Sequence, residues 1–380
     1  MSGAATSGAA TSGAGQGGEP PPFKLGFLTH VHGAGKPAGE VYRNLVETFV
    51  AAEELGFDGG WIAQHHLRAD YGRLPSPLVL LGAVAARTRR IELGTAVTVL
   101  PLEDPIRLAE DVAVLDAFSG GRVQLGLGSG GANADAFGAW GLDPARRHEA
   151  FDAALTRLRA ALDGQPLVTA DGAPASTAQP RLQPARPTLA ARLWQATSDP
   201  ARAAAAAADG DGLLLGTAFH DPLTVQRPLA QAHRAAWTGR RNAGNSAGGR
   251  PPAAVIRAVF PAADRRTARD DLAPALEVNK AAFLRHGLAE LAALTTEEYL
   301  ARINVHYGHP EEVTAGIRAD PALLEYATYF VPVVQHEAST PDADIRRLEI
   351  IARQIAPALG WRPWTASSRA GVTAVAGPVR

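Results

Sequence analysis

The sequence predicts a closed (β/α)8 barrel, and three observations carry that prediction. From Phe23 onward, short apolar segments alternate with amphipathic ones, which is the pattern of parallel βαβ units. About eight such units succeed one another, which fits a closed barrel better than an open sheet. Finally, "FLTHVHGAGKPAG" after the first strand lacks the G-x-G-x-x-G that an open dinucleotide-binding sheet would place there.

"FKLGFLTH" is the first strand, and Glu40 to Leu55 is helical, closed by "LGFDG". "GWIAQ" is the second strand. In "SPLVLLGAVAART", Ser76 stands at the N-cap and Pro77 at the first helical position, where its missing N–H costs nothing. "RIELGTAVTV" is the third strand. "DPIRLAEDVAVLDAFSGG" repeats the start signal with Asp104 and Pro105 and stops at Gly120 and Gly121. "RVQLGLG" is the fourth strand, with a helix after it from Asp143 and Pro144 to Asp163. "ARLWQAT", "DGLLLG", "AAVIRAVF" and "YATYFVPVV" are the later strands, and "SDPARAAAAAADG", "HPEEVTAGIRADP" and "DADIRRLEIIARQIAPALGW" the later helices.

Composition narrows the function. Of 380 residues, 46% are hydrophobic and 20% charged, which allows a large core. A net charge of −1, from 37 basic and 38 acidic residues without a basic run, gives no stripe for a nucleic-acid backbone. With no cysteine, thiolate nucleophiles, disulfides and iron–sulfur clusters are excluded. No apolar run approaches the roughly 18 residues of a membrane span. The expected organisation is a Gly/Ala/Ser-rich tail over residues 1–22, one barrel over 23–362 with a mobile insertion at about 239–305, and a C-terminal tail over 363–380. A cytoplasmic location is expected.

Active sites of such barrels lie at the C-terminal strand ends. That singles out His30 and His32, Gln64 to His66, Thr95 to Thr98, Gly128 to Asn133, Gln195 to Ser198 and Gly216 to His220. "THVHG" has the H-x-H form of a metal pair, but "YFVPVVQHE" offers no clear aspartate to complete a hydrolase's ligand set. Thr197 and Ser198 precede a helix, so hydroxyls and free N–H groups converge where the dipole favours an anion, with Arg202 a turn further in. Because side chains alternate along a strand, one of His65 and His66 should face the pocket, where an imidazole suits proton exchange.

Taken together, these segments resemble the bacterial luciferase-like monooxygenases. "AAEELGFDGGWIAQHH" and "SPLVLLGAVAARTRRIELGTAVTVLPLEDPIRLAEDVAVLDAFSGGRVQLGLGSG" carry most of the likeness, with "LWQATSDPARAAAAAADGDGLLLG" and "GHPEEV" adding to it. The resemblance implies a luciferase-like TIM barrel, usually a homodimer. It also implies that FMN, reduced by a separate flavin reductase, is used with O2 to oxidise a small organic substrate. By position, His65 matches the family's catalytic acid/base, with Gln64 beside it. Ala96 and Val97 match the backbone against the flavin ring, where the family often has a non-proline cis peptide. Gly128, Ser129 and Gly131 match the loop over the ring, and Ser198, Asp199, Arg202 and His148 the phosphate side. Gln124 and Trp194 are further pocket candidates. Gln64 and Ser129 stand where the light-emitting members have glutamate and arginine, which argues against light emission but not against flavin binding. The alternatives are a deazaflavin-dependent dehydrogenase on the same fold, a flavin-binding barrel without catalysis, and the metal-dependent hydrolase.

Overall fold

A computed structural model describes residues 23–33, 35–67, 72–168, 179–238, 250–285 and 289–363. Within them ten strands form: β1 Lys24–Thr29, β2 Gly59–Ile62, β3 Glu92–Thr95, β4 Thr98–Val99, β5 Val123–Gly128, β6 Leu193–Ala196, β7 Gly212–Leu215, β8 Ala253–Pro261, β9 His306–Gly308 and β10 Tyr329–Val333. The order β1-β2-β3-β5-β6-β7-β8-β10 closes on itself, because β10 pairs with both β8 and β1. Every pairing is parallel. This is an eight-stranded TIM barrel.

The helices are α1 Ala38–Glu54, α2 Pro77–Arg87, α3 Pro105–Ser119, α4 Arg147–Leu162, α5 Pro200–Ala208, α6 Arg227–Ala236, α7 Arg265–Arg285, α8 Ala289–Ala292, α9 Thr296–Arg302, α10 Pro310–Arg318, α11 Pro321–Tyr326 and α12 Pro341–Ile350. Their ends obey the local chemistry. Asp104 accepts hydrogen bonds from the N–H groups of Ile106 and Arg107 to start α3, and Gly120 ends it at φ +74°. Ser76 stands at the cap of α2, but its hydroxyl makes no capping bond there.

Inside the barrel, Trp61 packs edge-on against Trp194 and Tyr329, with ring centroids 5.6 Å apart in each pair. Gly94 and Gly212 make room, since a Cβ on either would fall 2.3 or 2.2 Å from a tryptophan ring. Trp194 Nε1 donates to Gln124 Oε1 at 2.8 Å. Both residues, read from sequence as pocket candidates, therefore sit in this plug near the start of their strands. Outside the barrel, the fully buried Asp116 of α3 accepts from Arg192 at 2.6 and 3.0 Å and from Arg186 at 2.8 Å. That triad ties the chain entering β6 to α3.

Two expectations change. "RIELGTAVTV" is not one strand: it breaks into β3 and β4 around a cis Ala96–Val97 peptide. The range 239–305 is not a single insertion, because β8 lies inside it as a barrel stave. After β8, helices α7 and α9 pack on Phe260 and Tyr307 through Ala268, Leu272, Leu276, Tyr299 and Leu300. The strand β9, unforeseen, extends the sheet beside the end of β8. The expected tail at 1–22, all of the tail at 363–380 but its first residue, and residues 239–249 lie outside the described residues.

Candidate active site

The site is assembled from the segments at the C-terminal ends of the strands. After β2, His65 and His66 are both buried, at 6% and 7% exposure, so alternation alone does not separate them; their partners do. His65 donates its backbone N–H to Leu74 O at 3.0 Å, and its Nε2 lies 3.3 Å from Nδ1 of His30, just beyond β1. Which ring donates depends on the tautomer. Gly72 lies against the Cδ2–Cγ edge of the imidazole and close to the His30 carbonyl: a Cβ there would fall 2.3 Å from His65 Cδ2 and 2.9 Å from His30 O. His66 is held elsewhere. Its N–H donates to Asn133 Oδ1 at 3.1 Å and its ring meets Trp140 edge-on, centroids 4.9 Å apart. Burial pulls its pKa down.

Gln64 corrects the expectation that it touches a cofactor. Its Nε2 donates to Pro75 O at 2.9 Å and to Glu103 Oε1 at 2.7 Å, and its Oε1 accepts the N–H of Val99 at 2.6 Å. With its own N–H on Val97 O at 3.4 Å and Ala96 N–H on Ile62 O at 2.9 Å, it clamps the cis segment to β2. Ala96 and Val97 are left half-buried at the barrel mouth, packed against the apolar barrel filling with Ala196 and Val333. Gly128 fits beneath them, since a Cβ there would lie 2.5 Å from Val97 Cγ2. The loop after β5 turns at Gly130, with φ +81°; a Cβ at Gly131 would meet nothing within 4 Å, so the demanding glycine is Gly130. Ser129, half-buried, stands between these glycines.

The expected phosphate side is rearranged too. The cap of α5 is Asp199, accepting from Ala201 N at 2.8 Å, and not Ser198. Both are exposed, and a carboxylate at that helix end opposes an anion. Arg202 forms a two-bonded pair with Asp152 of α4 at 2.8 and 2.9 Å. Beside it, at the start of α4, His148 Nδ1 and Arg147 Nε are buried without hydrogen-bond partners. Burial first, and then Arg202 and Arg147, hold the His148 pKa below its ordinary value. Arg147 Nε and His148 Nδ1 are thus the polar groups of this corner left for a ligand, beside the paired Arg202. The half-buried strip of Ala96, Val97 and Ala196 suits a flat apolar ring. The residues present therefore fit a flavin-type group, with His65 at one end and His148 at the other.

Across the mouth from that strip, a cavity of about 200 Å3, open to solvent, lies between the ends of β1, β8 and β10 and the helices α7 and α9. Of its walls, sequence reading reached Phe219, within Gly216 to His220, but missed Phe260, Leu276 and Tyr299. His30 and His32 line its floor. Burial, and a neighbouring imidazole in each case, pull their pKa values down to about 4. Both are therefore neutral near pH 7. Among the described residues, no group of three His, Asp or Glu side chains could hold a metal ion.

The sequence matches the luciferase-like monooxygenase family over residues 23–324. An uncharacterised protein of Sinorhizobium fredii is 33% identical over 210 residues, which are 53% of this chain and 56% of that protein. The chain thus spans little more than half the length of that curated relative. Monooxygenase RslO1 from Streptomyces bottropensis superposes with a TM-score of 0.72 at 24% identity, over 88% of this chain and 99% of that one. The oxygenating component of 3,6-diketocamphane monooxygenase from Pseudomonas putida, solved with FMN, gives 0.67 at 17% identity over 88% and 98%. At these identities the structural matches show the fold. Similar proteins also include F420-dependent dehydrogenases. This chain belongs to the luciferase-like monooxygenase family of flavin-dependent oxidoreductases.

Proposed function

We propose that the protein is an FMN-dependent monooxygenase that takes reduced FMN from a separate reductase and uses O2 to oxidise a small organic substrate. The observation that carries this reading is the pairing of His65 and its partner His30 with the half-buried Ala96–Val97 strip on one side and the apolar cavity on the other. When bound, reduced flavin would supply the electrons that activate oxygen. Ala96, Val97, Gly128 and Ser129 would hold the ring. His148, Arg147 and Arg202 would hold a phosphate of mononucleotide size, with Ser198 and Asp199 at the rim. His65 would exchange a proton at Nε2 or Nδ1, its orientation fixed by His30 and by the Leu74 carbonyl that holds its backbone. The roof of α7 and α9 would exclude water.

The family's F420-dependent dehydrogenases supply the rival reading. One such relative is a glucose-6-phosphate dehydrogenase, and a phosphorylated substrate calls for cations. Among the described residues lining this cavity there is no lysine or arginine, which argues against a sugar-phosphate substrate of that kind. A homodimer is proposed as well, supported by the exposed Val79 of α2 and by Val114 and Phe118 one turn apart on α3; sedimentation would test it. No helix among the described residues is long and apolar enough to cross a membrane, and a cytoplasmic site of action is the corresponding proposal. The functional test supplies a generic NADH:FMN reductase, NADH and air with a panel of organic substrates. Oxygen-dependent gain of one oxygen atom in a product supports the reading. Substrate oxidation that requires oxidised F420 and no oxygen would replace it.

A further inference from the structure

We propose that the cavity beneath α7 and α9 selects a flat, uncharged, largely apolar molecule, and that Asn279 and Leu276 on α7 set this selectivity. The inference deepens the proposed function, since it names the class of substrate that the same site would oxidise.

Three features of the cavity lead to this class. The first is its walls. Phe219, Phe260, Tyr299, His30, His32 and His336 bring six rings to one void, and flat faces of this kind favour flat ligands, which stack or meet them edge-on. Leu272, Leu276 and Val333 fill the spaces between. The enclosed space, about 200 Å3, is smaller than the roughly 300–1,000 Å3 of pockets for drug-sized ligands and suits a compact molecule of a few fused rings.

The second feature is charge. Among the described lining residues there is no cation to receive an anionic group, and Glu337 adds a carboxylate. Arg347 comes close, lying 5.2 Å from the Phe260 ring centre, but it is spent behind the wall. It donates to Val334 O at 2.9 Å and to Asp344 at 2.8 Å, and it pairs with Asp271. Arg302 lies over Phe219 at 5.6 Å, on an exposed part of α9, and donates to the Phe219 carbonyl at 3.1 Å. An anion entering the void would lose its hydration without a partner.

The third feature is that most of the polar groups at the floor are already engaged. Gln335 Oε1 accepts from Thr29 Oγ1 at 2.6 Å and from His32 N at 2.9 Å, while its Nε2 donates to Asp344 at 3.3 Å. His336 is bound to the Arg347–Asp271 pair. The floor is thus built to present imidazole faces rather than a network for sugar hydroxyls or phosphate. On α7, Asn279 is half-buried at the lining and meets whatever enters, while Leu276, 1% exposed, is packed in the wall beside it and sets the wall's shape.

The test is equilibrium dialysis of the full-length protein, without flavin, against 9-fluorenone and against 9-fluorenone-2-carboxylate, two molecules of one shape that differ in charge. The ketone should bind at least ten-fold more tightly than the carboxylate. Asn279→Arg should remove or invert that preference, and Leu276→Ala should weaken the ketone several-fold without changing the preference. Equal or tighter binding of the carboxylate by the unaltered protein would overturn the inference, as would no binding of the ketone up to its solubility, or an Asn279→Arg variant that keeps the wild-type preference. A parallel titration with reduced FMN separates the two levels. Loss of flavin binding with the ketone preference intact would sink the proposed function and leave the cavity assignment standing. Flavin binding without the preference would do the reverse.

Discussion

Replacing Gly72 by alanine should disable the site without unfolding the protein. The new Cβ would lie 2.3 Å from His65 Cδ2, 2.8 Å from its Cγ and 2.9 Å from His30 O, whereas ordinary contacts begin near 3.4 Å. The imidazole must therefore retreat by about 1 Å, and it cannot do so without stretching its 3.3 Å contact to His30. Gly72 is not among the glycines with positive φ, so the strain falls on the imidazole first and on the His30 carbonyl beside it. A misplacement of about 1 Å costs roughly 100-fold in turnover. The assay is steady-state oxidation with photoreduced FMN, with product followed by mass spectrometry and the fold checked by circular dichroism and urea midpoint. Reduced-flavin affinity should stay within a few-fold, because the Ala96–Val97 strip is untouched. In a double variant with His65→Ala, the alanine at 72 should add no further loss if it acts only through the imidazole. A folded Gly72→Ala protein with turnover near wild type would refute the placement of His65 in the mechanism.

Three further outcomes are expected. His65→Ala alone should slow turnover while leaving flavin binding within a few-fold; unchanged turnover would remove His65 from the chemistry. Asp116→Asn should destabilise the barrel by about 3–5 kcal/mol, because it leaves the Arg192 and Arg186 guanidinium groups without their buried counter-charge; a urea-derived loss below about 1 kcal/mol would contradict that role. Acidification should weaken the fold through His30 and His32, whose folded pKa values of about 4 lie below the ordinary 6.5. The unfolded chain then binds the extra protons, so their contribution is intact above pH 6.5 and is lost as pH falls toward 4. Both rings are partly exposed, so the loss from pH 7 to pH 5 should be about 1–3 kcal/mol for the pair. A His30→Gln/His32→Gln protein should lack this loss, and an identical acid sensitivity in the two proteins would dismiss the explanation.

What the sequence made legible was whatever is encoded locally. The alternation of strands and helices is a pattern of neighbours along the chain, and α3 begins and ends where Asp104, Pro105 and Gly120 stop competing structures. The strand ends, and with them the neighbourhood of His65, Ala96 and Gly128, came with the barrel itself. Three residues are too few for a periodicity, so β9 escaped notice. The β3–β4 break falls between Thr95 and Thr98 in a segment of strand-forming residues, where composition gives no warning. Gln64 was misread because its partners, Val99 and Glu103, stand 35 and 39 positions away. The same distance hid the His30–His65 contact, although "THVHG" had already drawn attention to His30. The cavity was least legible, since it is assembled from strand ends and roof helices that share no sequence motif.

The central claim is that the half-buried strip and the corner at His148 and Arg147 receive a reduced mononucleotide flavin. The direct measurement is an anaerobic titration of the purified protein with FMN, reduced FMN and reduced F420, followed by fluorescence and absorbance and then by mixing with air. The account predicts tight binding of reduced FMN, weaker binding of reduced F420, and an oxygen-dependent change in the bound flavin's spectrum. Tighter binding of reduced F420, or no binding of either flavin, would contradict it.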